Sequence, residues 1–306
     1  MLLKQGEENM ESKMDTAEGL KEIVREKYGQ LAREGGSCCG PTSCCGPSNG
    51  GDPFVFINED YTQREGYVQD ADLGLGCGIP IDAADLHPGQ TVVDLGSGAG
   101  NDVFVARRIV GETGKVIGVD MTPDMIRKAR ENAAKVGYAN VEFRLGEIES
   151  LPVGGNSVDR VLSNCVLNLV PDKKSAFAEM HRILKPGGKF GVSDVVLEGD
   201  FPEELRHAAE LYIGCVSGAM HKSAYLDSLK EIGFQDIRIT KEKVLEVPED
   251  LLAAYLNEEQ RKSLAHSGVR VLSITLQGTK PQKKAASACC TPLDSAGDGP
   301  CCHPLG

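Results

Sequence analysis

The sequence is poor in what a nucleic-acid binder or a membrane protein needs. Its 306 residues carry 33 Lys or Arg against 45 Asp or Glu, a net charge of −12. The basic residues form no stripe of the kind that releases counterions from a duplex. No apolar run approaches the roughly 18 residues of a membrane span. The N-terminal MLLKQGEENMESK lacks the apolar core of a secretory signal. A cytoplasmic protein, with neither nucleic acid nor membrane as partner, is the expectation. Ligand or triad spacing among histidines is also missing: His87, His181, His207, His221 and His266 are scattered, and surface or packing roles are expected of them.

Cysteine is abundant, and its arrangement is uneven. Eight of the eleven form the adjacent pairs Cys38-Cys39, Cys44-Cys45, Cys289-Cys290 and Cys301-Cys302, within Gly/Pro/Ser-rich segments 35–52 and 281–306. Both segments lack apolar periodicity and read as flexible. Neighbouring thiols there can capture a soft ion without a folded site. They can equally serve as resolving thiols in a redox step or form a dispensable metal-binding tail. His303, beside Cys302, is either an exposed tail residue or a member of a terminal metal site. The other three, Cys77, Cys165 and Cys215, stand alone, 88 and 50 residues apart. In a reducing compartment such residues are thiols, ligands or redox groups more often than staples.

Between the flanks, strand-like and helix-like segments alternate. TVVDLGSG leads to NDVFVARRIVG, KVIGVDM to TPDMIRKARENAAKVG, then VEFRLGEI, DRVLSNCVLNLV, PDKKSAFAEMHRILKPGG and KFGVSDVVL. Strands that are apolar throughout and separated by helices imply an α/β fold with a mostly parallel sheet covered on both faces. Thr122-Pro123 is expected to cap a helix, and Lys185-Pro186-Gly187-Gly188 to form a turn ahead of the next strand. An amphipathic helix is expected over 16–33, and further helices over 201–214 and 249–268. The division expected is 1–52 for the N-terminal helix and Cys-rich segment, 53–200 for a cofactor-binding domain, 201–280 for a smaller α+β substrate or lid region completing the sheet, and 281–306 for the tail.

The strand TVVD runs into Leu95-Gly96-Ser97-Gly98-Ala99-Gly100. Such a turn lets a ligand approach the backbone and the free N–H groups of the following helix. A dinucleotide fingerprint would read G-x-G-x-x-G, whereas here the glycines fall at 96, 98 and 100 behind Asp94. This pattern resembles the first motif of class I S-adenosylmethionine-dependent methyltransferases, Rossmann-like enzymes with a mostly parallel seven-stranded sheet. The resemblance implies S-adenosylmethionine as cofactor, held by Asp94, Gly96, Ser97, Gly98 and Gly100. It implies that Asp120 accepts the ribose hydroxyls, with Met121 and Glu147 near the adenine and Asn164 at the strand end beneath the cofactor.

A lone cysteine is usually a small buried hydrophobe. Cys165, however, follows a central strand at the edge where open parallel sheets bind ligands. Structural zinc takes close ligand pairs, which the solitary cysteines do not offer, whereas three separated thiolates suit a soft ion such as trivalent arsenic. GLGCGIP, DLGSGAGND, GVDMTPDM, SNCVLNLVPDK, LKPGG, SDV and YIGCVSGA together resemble the arsenite S-adenosylmethionine methyltransferases, over roughly residues 18–280. The resemblance implies As(III), as arsenite or its thiol conjugates, held by Cys77, Cys165 and Cys215. It also implies a disulfide among enzyme cysteines that thioredoxin or glutathione reduces. Leu75-Gly76 stands where animal and algal relatives often have Tyr-Gly. The residues by themselves also admit a methyltransferase for a small organic acceptor, or a metalloid-binding protein that does no chemistry.

Overall fold

The protein is described by a computed structural model covering residues 16–34, 59–200, 202, 216, 218–247, 249, 252–253 and 256–282. Cys215, all four cysteine pairs and the helix expected over 201–214 lie outside these residues.

Helix α1 (Ala17–Glu34) comes first, followed by a short 3-10 turn at Gln69–Ala71 and the single-turn α2 (Ile81–Ala84). The alternating units come next: β1 (Thr91–Leu95), α3 (Asn101–Val110), β2 (Lys115–Asp120), α4 (Pro123–Val136) and β3 (Val141–Leu145). They continue as β4 (Val158–Asn164), a 3-10 turn (Leu167–Leu169), α5 (Lys173–Ile183) and β5 (Leu184–Glu198). The chain ends in β6 (Met220–His221), α6 (Lys222–Ile232), β7 (Gln235–Leu245), α7 (Glu258–His266) and β8 (Arg270–Thr279).

One sheet collects all these strands in the order β3-β2-β1-β4-β5-β8-β7, with β8 antiparallel to both its neighbours and the other pairings on this path parallel. Strand β6 pairs with Val196 and Leu197 of β5, beyond the point where β4 ends. The sequence divides itself between the two faces with a period of two. Val92, Val116 and Leu162 join Phe104 and Ile126 under α3 and α4, whereas Val93, Ile117 and Val161 join Phe177, Met180 and Tyr225 under α5 and α6. A third apolar cluster sits at the ends of β4, β5 and β8. It contains Cys77, Cys165, Leu169, Val195 and Val271, with Val24 of α1.

Local details depart from expectation in three places. Thr122 occupies the N-cap of α4 but makes no side-chain cap bond; its backbone N–H instead donates to Asp120, which turns this corner toward the strand end. The KPGG segment belongs to β5, where a register shift between Val158 and Arg160 absorbs it and Gly187 pairs with Lys280. The helix expected over 249–268 is interrupted at Leu256-Asn257. Asn257 and Gln260 form a reciprocal capping box that starts α7 afresh.

Candidate active site

The C-terminal ends of β1, β2 and β4 open into a cleft. Its two walls and its roof follow directly from local chemistry. The turn after β1 takes Gly96 and Gly98 into left-handed backbone, φ +63° and +52°. A Cβ on Gly96 would sit 2.4 Å from Val166, while one on Gly98 would enter open space. That open space lies above a backbone N–H already directed at Asp120 Oδ2, 3.0 Å away. Asp120 thus ties the glycine loop to β2.

The cleft is acidic underneath. Asp94, Asp102 and Asp120 are raised above the usual carboxylate range, in each case chiefly by burial. Asp102 reaches about 6, held back by bonds from Tyr61 and Asn164. Asp94 is pushed further by the charges of Asp102 and Asp120. A cationic ligand would relieve all three. Two buried oxygens on the same lining, Ser97 Oγ and Asn101 Oδ1, have no hydrogen-bond partner among the described residues. Unmatched buried polar atoms are costly unless a ligand or water completes them. The residues therefore fit a polar, cationic, hydroxyl-bearing molecule such as S-adenosylmethionine.

Helix α1 forms the roof. Lys21 bonds to Glu147 at 2.6 Å and lies 3.0 Å from Glu149. Burial opposes its charge, but these two carboxylates outweigh it and raise its pKa. At the other end of the helix, Arg33 pairs with Asp124 of α4.

The second wall carries sulfur. Cys77 is 2% and Cys165 5% exposed, and neither is in a disulfide. Their sulfurs and a carboxylate oxygen of Asp194 all lie within 4.8 Å of one another. Asp194 is fully buried and accepts bonds from the Val195 N–H (3.0 Å) and the Tyr225 hydroxyl (3.2 Å). Burial raises it to about 7 in spite of these bonds and the Lys173 charge. Cys165 lies on the cleft lining and adopts φ +57°. That conformation costs a non-glycine residue on the order of 1 kcal/mol and persists where surrounding contacts enforce it. Here the Cys165 N–H bonds to the Ser193 carbonyl at 2.8 Å.

Of the residues the sequence singled out, Asp94, Gly96, Ser97, Gly98, Asp120, Met121, Asn164 and Cys165 line the cleft. Gly100 lies behind the loop against Phe104 and Phe143. Glu147 stands outside the lining, paired with Lys21, while its neighbours Ile148 and Glu149 line the cleft. Sequence reasoning did not single out Asp102 or Asp194, although both stand inside quoted motifs. Tyr61 and Lys21 lie in stretches with no motif to mark them.

Comparisons with known proteins agree with this arrangement. Residues 86–247 match the family described as a methyltransferase domain. An arsenite methyltransferase of Halobacterium salinarum is 42% identical over 87% of this chain and 68% of its own length. The chain belongs to the arsenite methyltransferase family. The human arsenite methyltransferase is 33% identical over 72% of this chain, which spans 58% of that relative. Among solved structures, the arsenic (III) S-adenosylmethionine methyltransferase of Chlamydomonas reinhardtii aligns with a TM-score of 0.58 and 35% identity, covering 67% of this chain and 68% of that one. The fold is that of class I S-adenosylmethionine-dependent methyltransferases, and the chain is such an enzyme. No helix among the described residues is long and apolar enough to cross a membrane.

Proposed function

We propose that the enzyme transfers a methyl group from S-adenosylmethionine to trivalent arsenic bound by the thiolates of Cys77 and Cys165, with Cys215 as third thiolate, and that this serves arsenic detoxification. The observation that carries this reading is the approach of the Cys77 sulfur, buried just behind the cleft lining, to that of Cys165, which lines the cleft. Residues 88 positions apart meet there, in an apolar cluster that favours a soft ion bonded to sulfur. The family relationship supports the same acceptor.

Bound S-adenosylmethionine supplies an electrophilic methyl on a positively charged sulfur. The carboxylates of Asp94, Asp102 and Asp120 favour its cationic end, and Ser97 and Asn101 offer it hydrogen bonds. The thiolates hold arsenic with its lone pair free to attack the methyl carbon in line, so no general base is needed. Transfer would form an As–C bond at the expense of the donor's C–S bond, whose electron pair would neutralise the sulfonium held beside Asp94, Asp102 and Asp120. Fixing both partners in one cleft can lower the barrier by roughly 7–11 kcal/mol in favourable cases.

Arsenic leaves this step formally pentavalent. Two enzyme thiols can return it to the trivalent state by giving up two electrons and forming a disulfide. Thioredoxin or glutathione is the reductant that then regenerates the thiols. The paired cysteines are candidates for auxiliary capture of arsenite or its thiol conjugates. Product analysis after incubation with arsenite, S-adenosylmethionine and thiols tests the reading. Methylated arsenicals are expected, with strong losses in Cys77→Ser and Cys165→Ser; undiminished methylation in both variants would overturn it.

A further inference from the structure

The loop bearing Cys77 lies flat against the ends of β4, β5 and β8. A Cβ on Gly76 would stand 2.8 Å from Asn164 Nδ2, and one on Gly78 would stand 2.5 Å from Ser193 Oγ. Glycine on both sides of Cys77 is what allows this approach. Ser273 of β8 donates to the Cys77 carbonyl at 2.6 Å. Asn164, the residue before Cys165, holds the loop from the opposite side. Its Oδ1 accepts the Cys77 N–H at 3.1 Å. Its Nδ2 faces the Gly78 carbonyl at 2.9 Å, Asp102 Oδ2 at 3.0 Å and the Tyr61 hydroxyl at 3.1 Å.

Only one orientation of the Asn164 amide satisfies these neighbours. Turned over, it would set its donors against the Cys77 N–H and its oxygen against a carboxylate and a carbonyl. Tyr61 reinforces the arrangement, since its hydroxyl donates to Asp102 Oδ1 at 2.7 Å and reaches the Gly78 carbonyl at 3.1 Å. A single side chain therefore grips the backbone on both sides of Cys77 while adjoining Cys165 in the chain.

We propose that Asn164 is the positioning residue that sets the Cys77 thiol against the Cys165 thiol, with Tyr61 and Asp102 fixing its amide. This rests on the reading of Cys77 and Cys165 as the acceptor site. It assigns Asn164 a role toward the acceptor thiols, beyond its place on the cofactor lining. The coupling is local: Asn164 acts through the Cys77 backbone, and its effect vanishes once Cys77 no longer contributes sulfur.

A double-mutant cycle tests this. Arsenite affinity is measured by equilibrium dialysis for the wild type, Asn164→Ala, Cys77→Ser and the double variant, with S-adenosylhomocysteine affinity and melting temperature read in parallel. Asn164→Ala is expected to weaken arsenite binding about 10-fold or more, the usual cost of losing a group that orients a ligand. In the Cys77→Ser background it should add nothing beyond about twofold, the ordinary error of additivity. S-adenosylhomocysteine affinity should fall less than arsenite affinity, since Asn164 also stands on the cofactor lining, and its change should be the same whether or not Cys77 is present.

A loss that adds in full to Cys77→Ser, or wild-type arsenite affinity in Asn164→Ala, overturns the proposal. So does an equal loss of arsenite and S-adenosylhomocysteine affinity, which marks a cofactor contact or a general support of the fold. If Cys77→Ser binds arsenite as the wild type does, the acceptor-site reading fails and this proposal with it. Asn164→Ser, which keeps a short polar group, is carried through the same cycle so that poor folding of the alanine variant does not decide the question.

Discussion

The two walls of the cleft are made of opposite materials. At the ends of β1 and β2 the surface is polar, with the buried Asp94 and Asp102, the half-buried Asp120, a glycine loop tied to Asp120 through the Gly98 N–H, and two hydroxyl or amide oxygens without partners among the described residues. At the ends of β4, β5 and β8 it is apolar, with two thiols set among Leu169, Val195 and Val271 and a single buried carboxylate, Asp194, beside them. The first wall recognises a large charged molecule through many moderate contacts. The second offers little to a hard, hydrated ion and much to a soft one that bonds to sulfur. A transfer between unlike partners needs this division, because each ligand is excluded from the other's wall by the same chemistry that holds its own.

The largest expected effect breaks the sulfur wall. Cys165→Ser replaces a soft ligand by a hard one at a strained, fully packed position. Arsenite methylation should fall by about 100-fold or more, the upper end of losses seen even for groups that merely orient ligands. S-adenosylhomocysteine affinity, measured by calorimetry, should change little. An equal fall in both would mean that the walls are not separate.

Breaking the polar wall should give the mirror result. Asp120→Ala removes a charged acceptor that also anchors Gly98 and Thr122. Hydrogen bonds to charged groups contribute about 1.5–3 kcal/mol, so cofactor affinity is expected to drop roughly 10- to 100-fold. Arsenite affinity measured without cofactor should hold.

Much of the polar wall was legible because it is nearly contiguous. Asp94 to Asp102 is one turn, Asp120 closes the next strand, and glycines at a characteristic spacing mark where backbone must approach a ligand. The sulfur wall was legible only by resemblance. Cys77, Cys165 and Asp194 are brought together by strand order, and no local spacing announces that β4 and β5 are neighbours whose ends face the Cys77 loop. The resemblance puts Glu147, which follows β3, near the adenine; in the structure it pairs with Lys21, and Ile148 and Glu149 line the cleft. The break at Asn257 escaped notice because the apolar spacing of 249–268 runs on through it, while the capping box that restarts the helix is a matter of side-chain geometry.

A third prediction sharpens the contrast through pH. The polar wall's carboxylates are poised to ionise against a cation, whereas Asp194 faces none at hydrogen-bonding distance among the described residues. Its folded pKa of about 7 stands above its ordinary value of 3.8, so the folded state keeps a proton that the unfolded chain has lost. The stability this contributes is complete below about pH 4 and disappears as the pH rises through 7. Asp194→Asn cannot titrate. Between pH 5 and 8 the wild type should lose about 3 kcal/mol relative to that variant, read from denaturant melts at the two pH values. Parallel pH dependences would show that Asp194 is ionised in the fold.

The smallest effect concerns α1, which touches both walls. Val24 packs into the apolar cluster with the thiols, and Lys21 bridges Glu147 and Glu149 above the polar side. Partly exposed ion pairs are worth about 0–1 kcal/mol, so Lys21→Ala should raise the KM for S-adenosylmethionine by about two- to fivefold. The difference from wild type should shrink in high salt, since screening weakens what the substitution removes. The KM for arsenite should not move. Val24→Ala, by contrast, opens the apolar side and should raise the arsenite KM while leaving the salt response intact. If Lys21→Ala raises both KM values together, α1 closes the cleft as a unit, and the division between polar and sulfur walls ends at the roof.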